Sequence, residues 1–128
     1  MKTILVDAIN AFIIKGEGIL KEMHILLEKY PNRKIILTGA NDGEMEKFGL
    51  KIMPYEIFTL KHNPEKTDSE YYKIMLKHFG LRQDDVIYFE HKEEAVKSTR
   101  SVGIKTFHYN KDKKDLASLK NFLDNSLL

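Results

Sequence analysis

Three apolar, β-prone runs in this sequence each end in a side chain that can do chemistry. TILVDA delivers Asp7, KIILT delivers Thr38 followed by Gly39, and VIYFE delivers Glu90 with His91 behind it. A fourth run, YEIFTL, opens into a loop carrying Lys61, His62 and Lys66. A carboxylate, a hydroxyl beside a glycine turn, a lysine and a second acid are the parts of a phosphoryl-handling site. The acids hold Mg²⁺, the hydroxyl and the turn amides take phosphate oxygens, and the lysine offsets carboxylate–phosphate repulsion.

Those residues act together only if the fold brings the run ends to one place. The runs Thr3–Ala8, Lys34–Thr38, Tyr55–Leu60, Val86–Glu90 and Ile104–Tyr109 are nearly continuous in apolarity, as suits strands covered on both faces of a parallel sheet. Between them lie stripes at helical spacing: Ile19, Met23, Leu26, Leu27 and Tyr30; Tyr72, Met75, Leu76 and Phe79; and Leu116, Leu119, Phe122 and Leu123. Thr67-Asp-Ser-Glu70 has the spacing of a capping box, Gly80 and Gly103 sit where left-handed helix stops are expected, and Pro31-Asn32 ends the first helix. The charged stretch Lys111–Asp115 reads as the solvated start of the last helix.

Strands alternating with helices at this spacing predict a three-layer α/β/α sandwich, a Rossmann-like doubly wound parallel five-stranded sheet, as one domain over 1–128. Ligands of such sheets bind beyond the carboxyl ends of the strands, near the point where strand order reverses. That is where Asp7, Thr38 and Glu90 fall. Asn10 reads as a turn residue, and the aromatics and methionines at helical spacing as core. His62, His78 and His108 are too scattered for a metal cluster.

Composition bounds the partners. The 128 residues are 42% hydrophobic and 31% charged, a globular balance that argues against disorder. Lys and Arg number 21 against 19 acids, a formal charge of +2, which gives no electrostatic reason to expect nucleic acid or an anionic membrane. Cysteine is absent, which excludes disulfides, thiolate zinc sites and cysteine nucleophiles. Asp7 and Asn10 interrupt the apolar N-terminus, no small-residue cleavage site follows, and no stretch approaches the roughly 18 apolar residues of a membrane span. The expectation is a cytoplasmic protein.

The order and spacing resemble the haloacid dehalogenase-like (HAD-like) hydrolase superfamily, mostly phosphatases that form an aspartyl-phosphate on the aspartate ending the first strand. TILVDAINAFI resembles the first motif, with Asp7 at the nucleophile's position, and KIILTGAN the second, with Thr38 as the phosphate-binding hydroxyl. EKTDSEYYKIMLKHFGL resembles the stretch around the third-motif lysine, matched at Lys66, with Tyr72 and Gly80 in register. DDVIYFEHKEEAVKSTRSVGIKTFHY resembles the fourth motif with the helix and strand after it. The resemblance covers nearly the whole chain. It implies catalytic Asp7, Thr38 and Lys66, phosphate binding by Thr38, Gly39 and Lys66, and a metal held by Asp7, Glu90 and His91.

The departures shape the expected activity. The family's phosphatases carry a second aspartate two residues after the nucleophile, as general acid and base; here that position is Ile9. The usual acidic pair of the fourth motif is Glu90-His91, and neutral imidazole is a poor ligand for hard Mg²⁺. The acid that often follows in the next helix is replaced by Ala95, beside Glu94. Mg²⁺ is thus expected to bind weakly or not at all, and losing general acid–base help costs about 10²–10⁴ in rate. Neither Asp7 to Thr38 nor Thr38 to Lys66 leaves room for an inserted cap, so the site is expected to lie open to water, to large substrates or to a protein partner.

The leading expectation is a capless phosphatase-like domain, a weak or specialised hydrolase acting on a phosphorylated small molecule or macromolecule. The alternative is a catalytically inactive binding or regulatory module of the same fold, a pseudoenzyme. A distant third is a PIN-like metal-dependent nuclease, suggested by VDAINAFI; such sites need several more acids around two metals, and Thr38-Gly39-Ala40 supplies none.

Overall fold

The computed structural model describes residues 1–127. Five strands form one wholly parallel sheet: β1 (Thr3–Asp7), β4 (Lys34–Thr38), β5 (Glu56–Thr59), β6 (Val86–Glu90) and β7 (Lys105–His108). Their order is β5-β4-β1-β6-β7, so the chain winds outward from β1 first to one side and then to the other. β1 is therefore the point of reversal. Val6 stands opposite Phe89 and Asp7 opposite Leu37, so the carboxyl ends of β1, β4 and β6 emerge side by side.

Alternation along β1 divides the interior. Ile4 and Val6 point into a core shared with α1 (Lys21–Glu28) and α5 (Leu116–Ser126), while Leu5 points into the opposite core beneath α3 (Ser69–Phe79). All residues of β1, β4 and β6 are buried, the continuous apolarity that the parallel arrangement demands. Each fully buried Leu, Ile or Phe in these layers contributes about 1.5–3 kcal/mol by leaving water. α4 (Glu93–Ser101) packs against β7 and α3 on the same side as α3.

Several local features differ from the sequence expectation. Ile19 belongs to no helix: it lies in β3 (Gly18–Ile19), which pairs antiparallel with β2 (Ile13–Ile14) in a small hairpin. Gly16 and Gly18 take φ 78° and 86° there, and α1 starts later, at Lys21. Thr67 does not cap α3, because an Asp68 N–H to Glu65 carbonyl bond (2.9 Å) closes a turn over 65–68. The cap is instead Asp68, whose carboxylate accepts from the Glu70 amide at 2.9 Å. Lys111–Lys114 form a turn, and α5 begins only after the Asp115 cap, whose side chain accepts from the Ser118 amide. A short helix, α2 (Asp42–Lys47), fills the β4–β5 connection behind an Asn41–Glu44 capping box.

Gly80 ends α3 at φ 65°, a left-handed stop as expected, and Gly103 follows α4 at φ 91°. Asn10 also takes φ 71° in the turn after β1. Among the described residues, no domain is inserted between Asp7 and Thr38 or between Thr38 and Lys66, and no helix is long and apolar enough to cross a membrane.

Candidate active site

A cleft of about 340 Å³ opens over the carboxyl ends of β1, β4 and β6. Asp7, Thr38, Gly39, Lys66, Glu90 and His91 all line it. These are the residues that strand ends and spacing had singled out. Lys61, the other lysine of the same loop, lies outside and pairs with exposed Asp42 at 3.1 Å.

The β1–β6 side is a buried ionic cluster. Lys66 Nζ lies 2.8 Å from Asp7 Oδ1 and 2.8 Å from Glu90 Oε1, and also donates to the Leu37 carbonyl at 3.2 Å. The Asp7 side chain is 1% exposed and that of Lys66 15%. Two adjacent tyrosines of α3 fix this geometry. Tyr72 OH donates to the Lys66 carbonyl at 2.7 Å, holding the lysine's backbone, while Tyr71 OH donates to the Thr38 carbonyl at 2.7 Å. Tyr88, two residues before Glu90 and so on the same face of β6, donates its hydroxyl to Glu90 Oε1 at 2.5 Å.

His91 completes the cluster from the β6 end. Its backbone N–H donates to Asp7 Oδ2 at 3.0 Å, its ring Nδ1 lies 2.5 Å from the same oxygen, and Nδ1 is 3.3 Å from Glu90 Oε2. That last oxygen also accepts from the Lys92 amide at 3.1 Å.

These contacts set the protonation states. Burial works against the His91 imidazolium, but hydrogen bonds and charge from Asp7 and Glu90 outweigh it and push its pKa up to about 9. Burial likewise opposes the Lys66 ammonium, and the two carboxylates overturn that and hold it charged. Burial would raise Glu90, yet Lys66, His91 and Tyr88 keep it well below the usual carboxylate range. Asp7 is pushed upward by burial and the neighbouring Glu90 charge, with Lys66 and His91 pulling against that.

The opposite wall is open to solvent. Thr38 Oγ1 accepts from the Ala40 amide at 3.1 Å, leaving the hydroxyl proton free to point into the cleft. At Gly39 a Cβ would stand 3.3 Å from His62 Nδ1, so a side chain there would press on the His62 ring. His62 sits between Glu44 (Nε2 to Oε1, 2.5 Å) and Glu65 (Nδ1 to Oε1, 2.8 Å), and those hydrogen bonds raise its pKa. The rim trio is at least a third exposed, unlike the buried cluster. Ile9 and Ala95 also line the cleft, and Lys15 reaches it from the β2–β3 hairpin.

Asp7, Glu90 and His91 can bring one ligand atom each within 4.8 Å of one another, the one such trio among the described residues. The donor set nevertheless fits Mg²⁺ poorly. All four carboxylate oxygens already accept from Lys66, His91, Tyr88 or the Lys92 amide, and the third candidate ligand is an imidazole turned toward the acids. Mg²⁺ demands near-octahedral oxygen coordination, usually from one or two carboxylates left free for it.

Sequence reasoning placed the strand-end groups and Lys66 but missed the tyrosines as positioning groups, the His62 rim and the Lys15 approach. Tyr88 carried a readable signal in its spacing of two from Glu90. The rim depended on a left-handed loop at Lys61 and His62 (φ 54° and 65°) for which the sequence offers no glycine.

No family model and no curated protein matches this sequence. Solved structures do resemble it. An uncharacterized protein from Corynebacterium glutamicum superposes with a TM-score of 0.62 at 12% identity, covering 97% of this chain and 96% of that one. The core domain of a protein assigned as a phosphoglycolate phosphatase from Streptococcus pneumoniae gives 0.62 at 14% identity, over 96% of this chain and 95% of that one. An enzyme of the HAD family from Bacteroides thetaiotaomicron, solved as an aspartate-to-alanine mutant with magnesium and inorganic phosphate, gives 0.61 at 16% identity over 73% of this chain. The present chain spans about half of that enzyme, 54% of its length.

Proposed function

We propose that this chain, which has the haloacid dehalogenase-like fold in a small form without a cap, is a phosphohydrolase-type domain that uses Asp7 as its nucleophile on phosphorylated substrates. The observation that carries this reading is Lys66 Nζ bridging Asp7 Oδ1 and Glu90 Oε1 at 2.8 Å each, on the floor of a cleft whose other wall is the Thr38–Gly39 turn. A phosphoryl group placed there meets the Thr38 hydroxyl and the Lys66 ammonium while facing a carboxylate oxygen. Asp7 Oδ1 accepts from Lys66 alone among the described residues, so it keeps a lone pair for attack. Oδ2, held by two donors of His91, is the oxygen that orients the group.

In the first step Oδ1 bonds to phosphorus, the ester P–O bond breaks, and the leaving oxygen carries off the bonding pair. Water then attacks phosphorus, the P–Oδ1 bond breaks with its electron pair returning to the Asp7 carboxylate, and the water's proton passes to solvent as orthophosphate leaves. With Ile9 in place of an acid, and with His91 and Lys66 bonded to Asp7 and Glu90, the leaving oxygen takes its proton from solvent. Substrates whose leaving groups are stable as anions, such as acyl or aryl phosphates, are therefore favoured over alkyl esters.

The test is turnover and trapping with acetyl phosphate. Wild type is expected to release orthophosphate and, on borohydride reduction, to be modified at Asp7. Asp7→Asn should lose more than about 10³-fold in rate and show no modification. Unchanged turnover in Asp7→Asn would discard nucleophilic chemistry.

A second reading, a binding module that holds a phosphorylated ligand without turnover, is favoured by one observation: Ile9 and Ala95 present apolar groups to the cleft. Orthophosphate binding with no acetyl phosphate turnover would select it.

A further inference from the structure

We propose that the His91 ring fills, as a fixed donor, the place between Asp7 and Glu90 that a divalent cation would otherwise take, so that this cleft binds a tetrahedral oxyanion without a metal. The inference rests on the phosphoryl-site reading above and goes beyond it by assigning how the site's charge is balanced.

Position is the first argument. Nδ1 lies 2.5 Å from Asp7 Oδ2 and 3.3 Å from Glu90 Oε2, a point between the two acids. The backbone of the residue is held there by its N–H bond to Asp7 Oδ2 at 3.0 Å and by His108 Nε2 at 2.9 Å from its carbonyl, and the ring is tied to the same carboxylate through Nδ1. A cation approaching Asp7 Oδ2 has to displace a charge-assisted hydrogen bond and still meets the amide.

Donor supply is the second. Lys66 bridges Asp7 Oδ1 and Glu90 Oε1, the His91 ring and amide meet Asp7 Oδ2, and the Lys92 amide meets Glu90 Oε2. A divalent cation would have to displace one of these donors, because every carboxylate oxygen of the pair already has one. Were residue 91 an acid, three carboxylates would face one ammonium, and such a buried excess of negative charge calls for a metal. The identity of residue 91 thus decides whether the cleft needs a metal. The His91 side chain, 18% exposed, also lines the cleft beside Lys66.

The experiment is an amide NMR titration of the full chain with orthophosphate in excess EDTA, repeated with Mg²⁺ in place of chelator, and with Mg²⁺ alone. For wild type, orthophosphate should shift the Thr38 and Gly39 amides saturably in EDTA. Mg²⁺ should change that affinity by less than about 3-fold and produce no saturable shift at Asp7, as expected where the carboxylate oxygens already have donors. His91→Asp should lose about 10- to 100-fold in orthophosphate affinity in EDTA, recover it in Mg²⁺, and show saturable Mg²⁺ shifts at Asp7. Should that variant fail to fold, His91→Gln serves. It keeps a neutral donor, so its orthophosphate affinity should fall about 10-fold or more with no recovery in Mg²⁺.

Orthophosphate binding by wild type that appears only with Mg²⁺, or saturable Mg²⁺ shifts at Asp7 in wild type, would overturn the inference while leaving the phosphoryl site intact. Absence of orthophosphate binding with and without Mg²⁺ would remove both.

Discussion

The two walls of the cleft are built on opposite principles. On the β1–β6 side, Asp7, Lys66, Glu90 and His91 are drawn inside the protein, and each carboxylate oxygen meets a donor held by backbone or by a buried tyrosine. On the β4 side, His62, Glu44 and Glu65 make bonds just as short, but in the open, on a loop and a six-residue helix. Short distances alone would rank the two alike. Burial separates them. Charges with little solvent around them interact strongly and suffer badly when one is removed, whereas exposed pairs are screened and contribute little. The groups on which the cleft most depends therefore lie on the buried wall, and the rim is left free to vary.

The largest expected effect follows from Lys66. Replacing it by methionine leaves Asp7 and Glu90 facing each other in a buried space with His91 as the one remaining cation. Urea denaturation of Lys66→Met should show a loss of about 3–5 kcal/mol, the usual consequence of stripping one partner from a buried ionic group. Asp7→Asn should cost less, because asparagine keeps the shape of the group and an acceptor oxygen for the Lys66 ammonium or the His91 amide, whereas methionine at 66 offers the two acids no donor. A variant that keeps its stability and loses its turnover is the signature of a group positioned for chemistry. If both substitutions destabilise equally, the buried wall is structural and the contrast with the rim loses its functional meaning.

Much of the buried wall could be read from sequence because strand ends are constrained from two directions. Asp7 ends a run of apolar residues where a carboxylate has no packing reason to be, and Thr38 and Glu90 do the same on the neighbouring strands. The parallel winding brings such ends together whatever the intervening loops do. His91 shows where that logic stops. As a sequence feature it looks like a failed metal ligand. Its actual bond to a carboxylate 84 residues away depends on β1 and β6 being neighbours in one register. The β2–β3 hairpin escaped for another reason: strands of two residues are too short for any period to declare itself. At α3 the local signals competed, and Asp68 beat Thr67 because a turn over 65–68 had already used the preceding backbone.

A middle-sized effect should appear with pH. His91 has its folded-state pKa raised from the ordinary 6.5 to about 9. A cation with a raised folded pKa stabilises fully below its unfolded value and loses that contribution as pH climbs through the folded one. The thermal midpoint should accordingly fall between pH 7 and pH 10. The groups facing His91 are Asp7 from β1, Glu90 beside it, and Lys66 across the two acids; Lys66 is held charged beyond this window, so within the buried wall the His91 imidazole carries the slope, while the exposed His62, also raised, adds a smaller share that His91→Gln leaves in place. His91→Gln should flatten that fall relative to wild type. An identical slope in the variant would show that the titrating group lies elsewhere and that the buried wall owes little to this ring.

The smallest effect should come from the rim, and it bears most directly on the contrast between the walls. Glu65→Gln removes one of the two carboxylates on His62, a pair whose side chains are 39% and 56% exposed. Its distance of 2.8 Å equals that of the Lys66 pairs. If distance governed, the loss would rival that of Lys66→Met. Because solvent screens this pair and Glu44 still holds the imidazole, the variant should stay within about 1 kcal/mol of wild type by urea denaturation. Raising the salt should shrink even that difference, since the Debye length falls from about 10 Å at 0.1 M to about 3 Å at 1 M. A penalty several times larger and insensitive to salt would place His62 and Glu65 in the same class as the buried cluster. The rim would then have to be treated as part of the working site and not as its margin.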